Sequence, residues 1–115
     1  MIEIDFYVLP EGELIGFYMA GHAGFAAKGA DIVCAAVSSA AYMAANTLTE
    51  VMGISPMRLY TENGIMDLKT REQDARLCRA IFRGLKLHLI HLEAQYPSYI
   101  RVGYHAIEDE SKIDE

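Results

Sequence analysis

The sequence predicts a single α+β domain, in which two long helices cover a largely antiparallel sheet of about five strands. Three observations indicate this fold class. Short segments in which apolar residues recur at every second position alternate with longer segments in which they recur at every third or fourth position. Turn signals divide the short segments into pairs. A chain of 115 residues is long enough to form one hydrophobic core. The predicted order is strand, strand, helix, strand, strand, helix, strand. The domain is assigned to residues 1–107, and the order of strands within the sheet does not follow from the sequence.

The first two strands are predicted to form an antiparallel hairpin. Apolar and polar side chains alternate over residues 2–9, which is typical of a half-buried strand, and residues 10–13 carry a Pro-Glu-Gly-Glu turn signal. The alternation resumes over residues 14–20. Residues 21–30 contain three glycines and show no sustained period, so we expect a mobile loop before the first helix.

The first helix is predicted over residues 32–51. Asp31 is a candidate N-cap, because a carboxylate can accept hydrogen bonds from the first backbone N–H groups of a helix, and Gly53 ends the segment. Residues 32–49 carry no charge, but they are rich in alanine and hydroxyl side chains, which favours a buried helix of a soluble protein over a membrane span. The alanines either allow close packing or leave room for an extended peptide beside the helix.

The second half of the chain repeats this arrangement. Asn63-Gly64 is a strong hairpin signal between predicted strands at residues 57–62 and 65–69. A second helix is predicted over residues 71–95, and a final strand over residues 98–107. The seven tyrosines are predicted at the amphipathic edges of the core. The predicted apolar stripe of the second helix comprises Leu77, Ile81, Leu85, His88 and Leu92.

Charge and cysteine content restrict the function. The formal net charge is -6, and most of it lies in an acidic tail over residues 108–115, which is predicted to be disordered. Direct binding of nucleic acid is not expected, because phosphate recognition needs clustered lysines and arginines. The sequence starts with acidic residues where a secretion signal carries positive charge, and its two cysteines do not suggest a disulfide framework. We therefore expect a cytoplasmic protein that does not associate with membranes.

A candidate active site combines His22 with Cys34. With Asp31 as the N-cap, Cys34 is the third residue of the helix, where unpaired N–H groups and the positive end of the helix dipole favour a thiolate, although the nearby carboxylate opposes this effect. His22 follows a strand and could act as a base toward the thiol or pair with the thiolate. The N–H groups of the helix start could also stabilise an oxyanion. Together these groups predict an acyl-transfer site.

Other interpretations of the same residue types remain open. Cys34 could be a small core residue, and Cys78 is predicted to be a buried structural thiol inside the second helix. His105 is an alternative partner for Cys34. His88 is predicted in the core. His88 and His91 form a candidate metal pair, but no third ligand follows at useful spacing, so no metal site is predicted.

Two motifs resemble those of a known family. Gly21-His22-Ala23 and the segment Asp31 to Ser38, at this spacing, resemble the signature of the ribosomal-processing cysteine proteases, a family of small bacterial proteins. The likeness extends over residues 1–107 and includes the opening hairpin, both helices and the Asn63-Gly64 turn. The acidic tail lies outside the pattern.

The resemblance implies a cysteine endopeptidase that removes the N-terminal extension of the large-subunit ribosomal protein numbered twenty-seven in the L series. It implies that Cys34 is the nucleophile and that His22 is its base partner. It further implies a homodimer, a loop that moves when substrate binds, and no metal or cofactor. The residues that the resemblance assigns to substrate binding or orientation are Gly21, Ala23, Asp31 and Ser38.

Two further functions remain open at the level of the sequence. One is a non-enzymatic module of the same fold that binds a ribosomal or nascent peptide without cutting it. The other is a different Cys-His acyl-transfer enzyme, such as a thioesterase or an amidase. For the protease, we expect the hydrophobic part of the peptide to lie in a groove beside the first helix.

Overall fold

The computed structural model describes residues 1–27 and 31–108, and its elements follow the predicted order. Residues 28–30 of the predicted loop, and the predicted acidic tail beyond its first residue, lie outside the described residues. The elements are β1 (Ile2–Val8), β2 (Leu14–Ala20), α1 (Ile32–Asn46), β3 (Arg58–Glu62), β4 (Ile65–Lys69), α2 (Arg79–Gln95) and β5 (Ile100–Ala106).

The strands form a mixed sheet with the order β3-β4-β2-β1-β5. The pairs β1–β2, β2–β4 and β3–β4 are antiparallel, so both predicted hairpins are confirmed. β5 pairs with β1 in parallel, because the chain crosses the sheet through α2 before it returns to the far edge. The pairing of β2 with β4 places Ala20 opposite Ile65, so the Asn63-Gly64 turn lies beside the end of β2.

The prediction of a helix over residues 32–51 is confirmed, because α1 continues as a π-helical turn, Thr47–Val51. By length and composition alone, this helix could cross a membrane. One of its faces is nevertheless packed in the core of the domain, where small side chains allow a close approach to α2. The buried alanines of this face are Ala40, Ala41, Ala44 and Ala45.

The second helix begins later than predicted, at Arg79 rather than at residue 71. Residues 72–74 form a short 3-10 turn. Ala75 is buried in a small cluster with Leu9 and Ile15, so the chain first packs along the sheet and only then becomes helical. Here tertiary packing overrides the helical periodicity of the sequence.

The buried stripe of α2 also differs from the predicted one. Phe82, Leu85 and Leu89 are buried, whereas His88 is exposed and Leu77, before the helix, is 66% exposed. The prediction of a core histidine at position 88 is therefore wrong. Both stripes contain Leu85, and Ile81 and Leu92 of the predicted stripe are half-buried against the same core. Burying Phe82 and Leu89 in place of His88 removes more apolar surface from water than burying an imidazole would.

The face of the sheet opposite the helices carries a polar network. The Tyr7 hydroxyl donates to an Asp67 carboxylate oxygen at 2.8 Å, and Arg58 pairs with the same carboxylate at 2.8 Å. Partial burial, and then this bond to Asp67, raise the pKa of Tyr7. The network ties β1 to the outer hairpin.

The tyrosines only partly follow the prediction. The exposed tyrosines lie on the open face of the sheet, on α1 or on the edge strand β5. Tyr7, Tyr96 and Tyr99 are half-buried against apolar clusters, while Tyr18, Tyr42, Tyr60 and Tyr104 are exposed.

Candidate active site

The end of β2, the start of α1 and the tip of the β3–β4 hairpin enclose a pocket of about 510 Å³. Five of the six residues proposed from the sequence line it. Ala23 is not part of the lining, but it contacts the sulfur of the proposed nucleophile through its backbone. The five lining residues are Gly21, His22, Asp31, Cys34 and Ser38.

Cys34 is the third residue of α1, as predicted, and it is half-buried. Its Sγ accepts a hydrogen bond from the backbone N–H of Ala23 at 3.1 Å. A backbone donor directed at the sulfur stabilises negative charge on it. The thiol is therefore partly open to the pocket and in contact with a donor, unlike a sealed core cysteine.

Asp31 is the N-cap of α1, which confirms the sequence prediction. Its Oδ1 accepts from the N–H groups of Val33 and Cys34, each at 3.0 Å. Its Oδ2 accepts from Phe25 N–H at 3.0 Å and from Ala26 N–H at 3.5 Å. These donors, above all the N–H of Cys34, lower the pKa of Asp31. One carboxylate thus joins the helix start to the preceding loop.

The capping bonds correct one expectation from the sequence. The N–H groups of Val33 and Cys34 are engaged by Asp31 Oδ1, and the N–H of Ala35 donates to the Asp31 carbonyl at 3.1 Å. The start of α1 therefore does not offer these groups to an oxyanion. The donor adjacent to the sulfur is instead the N–H of Ala23.

His22 follows β2 and is exposed at the rim of the pocket. Its carbonyl oxygen accepts from the Met1 ammonium at 2.7 Å, which fixes the backbone at this position. Within the described residues, no hydrogen bond joins the imidazole to Cys34 Sγ. Both groups line one pocket, so a rotation of the ring or a movement of the loop is enough to change their separation.

Gly21 has a structural reason to be glycine beyond loop mobility. Its φ is +105°, and a Cβ at this position would overlap the carbonyl oxygen of Met1. Its N–H donates to the Gly64 carbonyl at 2.9 Å. The residue therefore holds the end of β2 against the hairpin tip, directly before His22.

Ser38 lies one helical turn after Cys34 and is half-buried. Its hydroxyl has no hydrogen-bond partner among the residues that the structure describes. A second, smaller depression of about 230 Å³ shares Ser38 with the main pocket and continues to Tyr42, Thr61 and Glu62. The two depressions form a groove between α1 and the β3–β4 hairpin.

Asn63 and Gly64 are among the pocket residues that sequence reasoning did not propose for the site. They were predicted only as a turn, which is correct for the local chain. Their place beside His22 depends on the pairing of β2 with β4, and a turn signal carries no information about that pairing. Phe25, in the loop after His22, does not line this pocket; its ring meets the rings of Tyr96 and Tyr99 edge-on.

The competing candidates lie outside the pocket. Cys78 is fully buried, as predicted, but it lies at the N-cap of α2 rather than inside the helix; burial raises the pKa of its thiol to about 11. His105 lies on β5 and packs edge-on against Tyr7, on the open face of the sheet, so it is not placed as a partner for Cys34. In the part of the chain that the structure describes, no three His, Cys, Asp or Glu side chains are grouped to hold a metal ion.

Comparison with known proteins gives consistent results. The model of the family described as cysteine protease Prp matches residues 1–101. A Staphylococcus aureus (strain Mu50) protein named ribosomal processing cysteine protease Prp is 31% identical over 108 residues, covering 90% of this chain and 99% of that protein. A Bacillus subtilis (strain 168) protein of the same name is 28% identical over 98 residues, covering 77% and 84%.

Solved structures show the same fold. The crystal structure of the S. aureus ribosomal processing protease Prp with a covalently linked product peptide has a TM-score of 0.83 and 27% identity, covering 91% of this chain and 100% of that chain. The same protease with a substrate peptide has a TM-score of 0.77 and 25% identity, with the same coverage. SMU.848 from Streptococcus mutans has a TM-score of 0.75 at 23% identity, covers 93% of this chain and 96% of that one, and shares the fold.

Proposed function

The chain belongs to the cysteine protease Prp family, and on this premise we propose that Cys34 and His22 together cut the N-terminal extension from a large-subunit ribosomal protein. The family resemblance identified in the sequence is thereby confirmed, and the chain is a cysteine protease. One observation carries the proposed mechanism. Cys34 Sγ, at the start of α1, accepts a hydrogen bond from the backbone N–H of Ala23, in a pocket that His22 also lines.

In the proposed reaction, His22 accepts the thiol proton of Cys34, and Sγ attacks the scissile carbonyl carbon. The C–N bond breaks, and His22 returns its proton to the leaving amine, which becomes the new N-terminus of the product. The extension remains bound to Cys34 as a thioester. Water then gives a proton to His22 and attacks the thioester, which releases the extension as a carboxylic acid and restores the thiol.

The proposed oxyanion donor is the backbone N–H of Ala23. It lies 3.1 Å from Sγ, whereas the N–H groups at the start of α1 are engaged by Asp31. When Sγ bonds to the carbonyl carbon, the carbonyl oxygen develops negative charge next to the sulfur, within reach of the same donor. This gives Ala23 a role in binding the transition state through its backbone, while Asp31 orients the site.

The proposed substrate is the N-terminal segment of the ribosomal protein numbered twenty-seven in the L series. The S. aureus protease, which was crystallised with a substrate peptide and with a covalently linked product peptide, supports a peptide as the ligand. The groove between α1 and the β3–β4 hairpin is an open path for the hydrophobic part of such a peptide, which passes Ser38 and reaches Tyr42. The family resemblance implies that the loop after His22 moves when such a peptide binds.

The proposal includes a cytoplasmic homodimer, because ribosomal proteins are made and assembled in the cytoplasm and the family resemblance implies two copies. Exposed apolar side chains on the later part of α1, on the turn after it and on β3 support an interface there. They are Met43, Val51, Met52, Met57 and Leu59.

The decisive experiment is to incubate the protein with the extended ribosomal protein and to measure the product masses. We expect one cut, complete loss of cleavage in Cys34→Ala, and a loss of roughly 10²–10⁴-fold in His22→Ala. Cys78→Ala is the matched control, because it removes a thiol outside the pocket, and it should still cleave. Full cleavage by Cys34→Ala would refute the mechanism. A substrate that binds wild type and stays intact would support the binding module instead.

A further inference from the structure

The hairpin tip between β3 and β4 contacts the imidazole of His22. We infer that Gly64 is a positioning residue: because it has no side chain, the His22 ring can lie against the hairpin tip, closer than a Cβ at position 64 would allow. The inference rests on the proposed role of His22 as the base, and it adds a determinant of where that base stands. Gly64 is 42 positions away from His22 in the sequence, so only the folded sheet brings the two together.

The steric argument is direct. A Cβ built on Gly64 would lie 2.9 Å from His22 Nε2 and 3.0 Å from Cε1. Carbon atoms in ordinary contact are about 3.5–4.0 Å apart, so an alanine methyl and this ring position exclude each other. Any side chain at position 64 therefore forces the ring, the hairpin tip or both to move.

The hairpin tip cannot easily yield to such a push. The Gly64 carbonyl accepts the N–H of Gly21 at 2.9 Å, so the tip is bonded to the residue directly before His22. Next to this hydrogen bond, Ala20 of β2 pairs with Ile65 of β4, which is the last residue pair of the β2–β4 ladder. The backbones on both sides are thus held by the sheet, and the imidazole is the group most free to move.

The backbone conformation of a tight turn is by itself a reason for glycine at position 64. The test must therefore separate this backbone effect from the contact with His22. Gly64 has φ +78°, a left-handed conformation that any other residue adopts only with strain. Gly53 has φ +70°, and a Cβ there would meet no atom within 4 Å. Gly53→Ala therefore carries the same kind of backbone strain without touching His22, which makes it the matched control.

The experiment compares kcat/KM of Gly64→Ala and Gly53→Ala for a peptide that spans the cleavage site. We expect a loss of at least tenfold in Gly64→Ala and of less than twofold in Gly53→Ala. Each variant is then combined with His22→Ala. In that background Gly64→Ala should cause no further loss, because the ring that it displaces is absent.

A readout that does not depend on turnover is the NMR resonance of the His22 Cε1 proton. Gly64→Ala should change its chemical shift, and Gly53→Ala should not. If Gly64→Ala folds poorly, Gly64→Asn replaces it, because asparagine tolerates a positive φ but still carries a Cβ.

Equal losses in Gly64→Ala and Gly53→Ala, or an unchanged His22 resonance in Gly64→Ala, would overturn the inference. A full additional loss from Gly64→Ala in the His22→Ala background would also overturn it. Failure of the proposed function has a different signature, since His22→Ala alone would then cleave as wild type. The two failures are therefore distinguishable.

Discussion

At the scale of single residues, the two cysteines of the chain lie in opposite environments. Cys34 is half-buried, opens to the pocket and accepts the N–H of Ala23. Cys78 is fully buried in the core, and desolvation raises the pKa of its thiol to about 11. Because only the thiolate reacts with alkylating agents, the two sulfurs should differ strongly in reactivity.

We expect iodoacetamide at pH 7.5 to modify Cys34 and to leave Cys78 intact while the protein is folded. A pKa near 11 alone makes the thiolate at Cys78 about two orders of magnitude rarer than for a free cysteine, and burial slows it further. Peptide mapping by mass spectrometry measures both rates. In denaturant the two cysteines should react alike, which is the control. Protection of Cys34 in the folded protein would contradict an accessible nucleophile.

The residues of the site differ in how far the sequence could predict them. Asp31 and Cys34 are three positions apart, and local helix geometry alone fixes the cap, the place of the thiol and the direction of Ser38. The N-capping rule also implies that the Asp31 side chain occupies the first N–H groups of α1, so this feature could have been predicted as well. The contact between His22 and Gly64 could not, because it depends on strand pairing across the chain.

At the scale of elements, Asp31 connects α1 to the loop after β2. Its carboxylate accepts from the helix start through Oδ1 and from Phe25 and Ala26 through Oδ2. These bonds lower the pKa of Asp31 in the folded state. A lowered pKa means that the ionised group stabilises the fold above its unfolded pKa, and that this contribution is lost as the pH falls through the folded value.

We therefore expect Asp31→Asn to lower Tm at pH 7, because an amide has one acceptor oxygen for a set of bonds that uses two. The difference from wild type should narrow as the pH falls below about 4, the ordinary carboxyl pKa of the unfolded chain, and on through the lower folded-state pKa of Asp31. Thermal unfolding followed by circular dichroism from pH 3 to pH 8 measures this. Glu11→Gln, in the exposed β1–β2 turn, is the control. A constant difference over the whole range would contradict the role of the charge.

Element boundaries show where local signals fail. The strands and α1 lie close to their predicted bounds, because alternation, the Asp31 cap and the Asn63-Gly64 turn are local features. The start of α2 was predicted too early, since Ala75 is held by Leu9 and Ile15 at the sheet. Packing between distant segments decides such a boundary, and periodicity does not record it.

At the scale of the whole molecule, the sheet order assembles the site. β2 is next to β4, so the end of β2, the β3–β4 tip and the start of α1 meet at one end of the sheet. The sequence predicts two hairpins, but it does not predict which strand of one hairpin pairs with which strand of the other. Pairing at either edge of a hairpin fits the same alternation of apolar and polar residues. The pocket at their junction is therefore a property of the topology. The groove that leaves it follows α1 past Ser38.

If this groove receives the peptide, filling it should weaken substrate binding without altering the thiol. Ser38 lines both depressions of the groove, while its neighbour Ser39 is exposed on another side of α1. We expect Ser38→Trp to reduce kcat/KM for the peptide at least tenfold, mainly through KM, and Ser39→Trp to change it less than twofold. Alkylation of Cys34 by iodoacetamide, which is far smaller than a peptide, should proceed in both variants and thereby report an intact site. Equal cleavage by the two tryptophan variants would mean that the peptide approaches Cys34 from a different side of the domain.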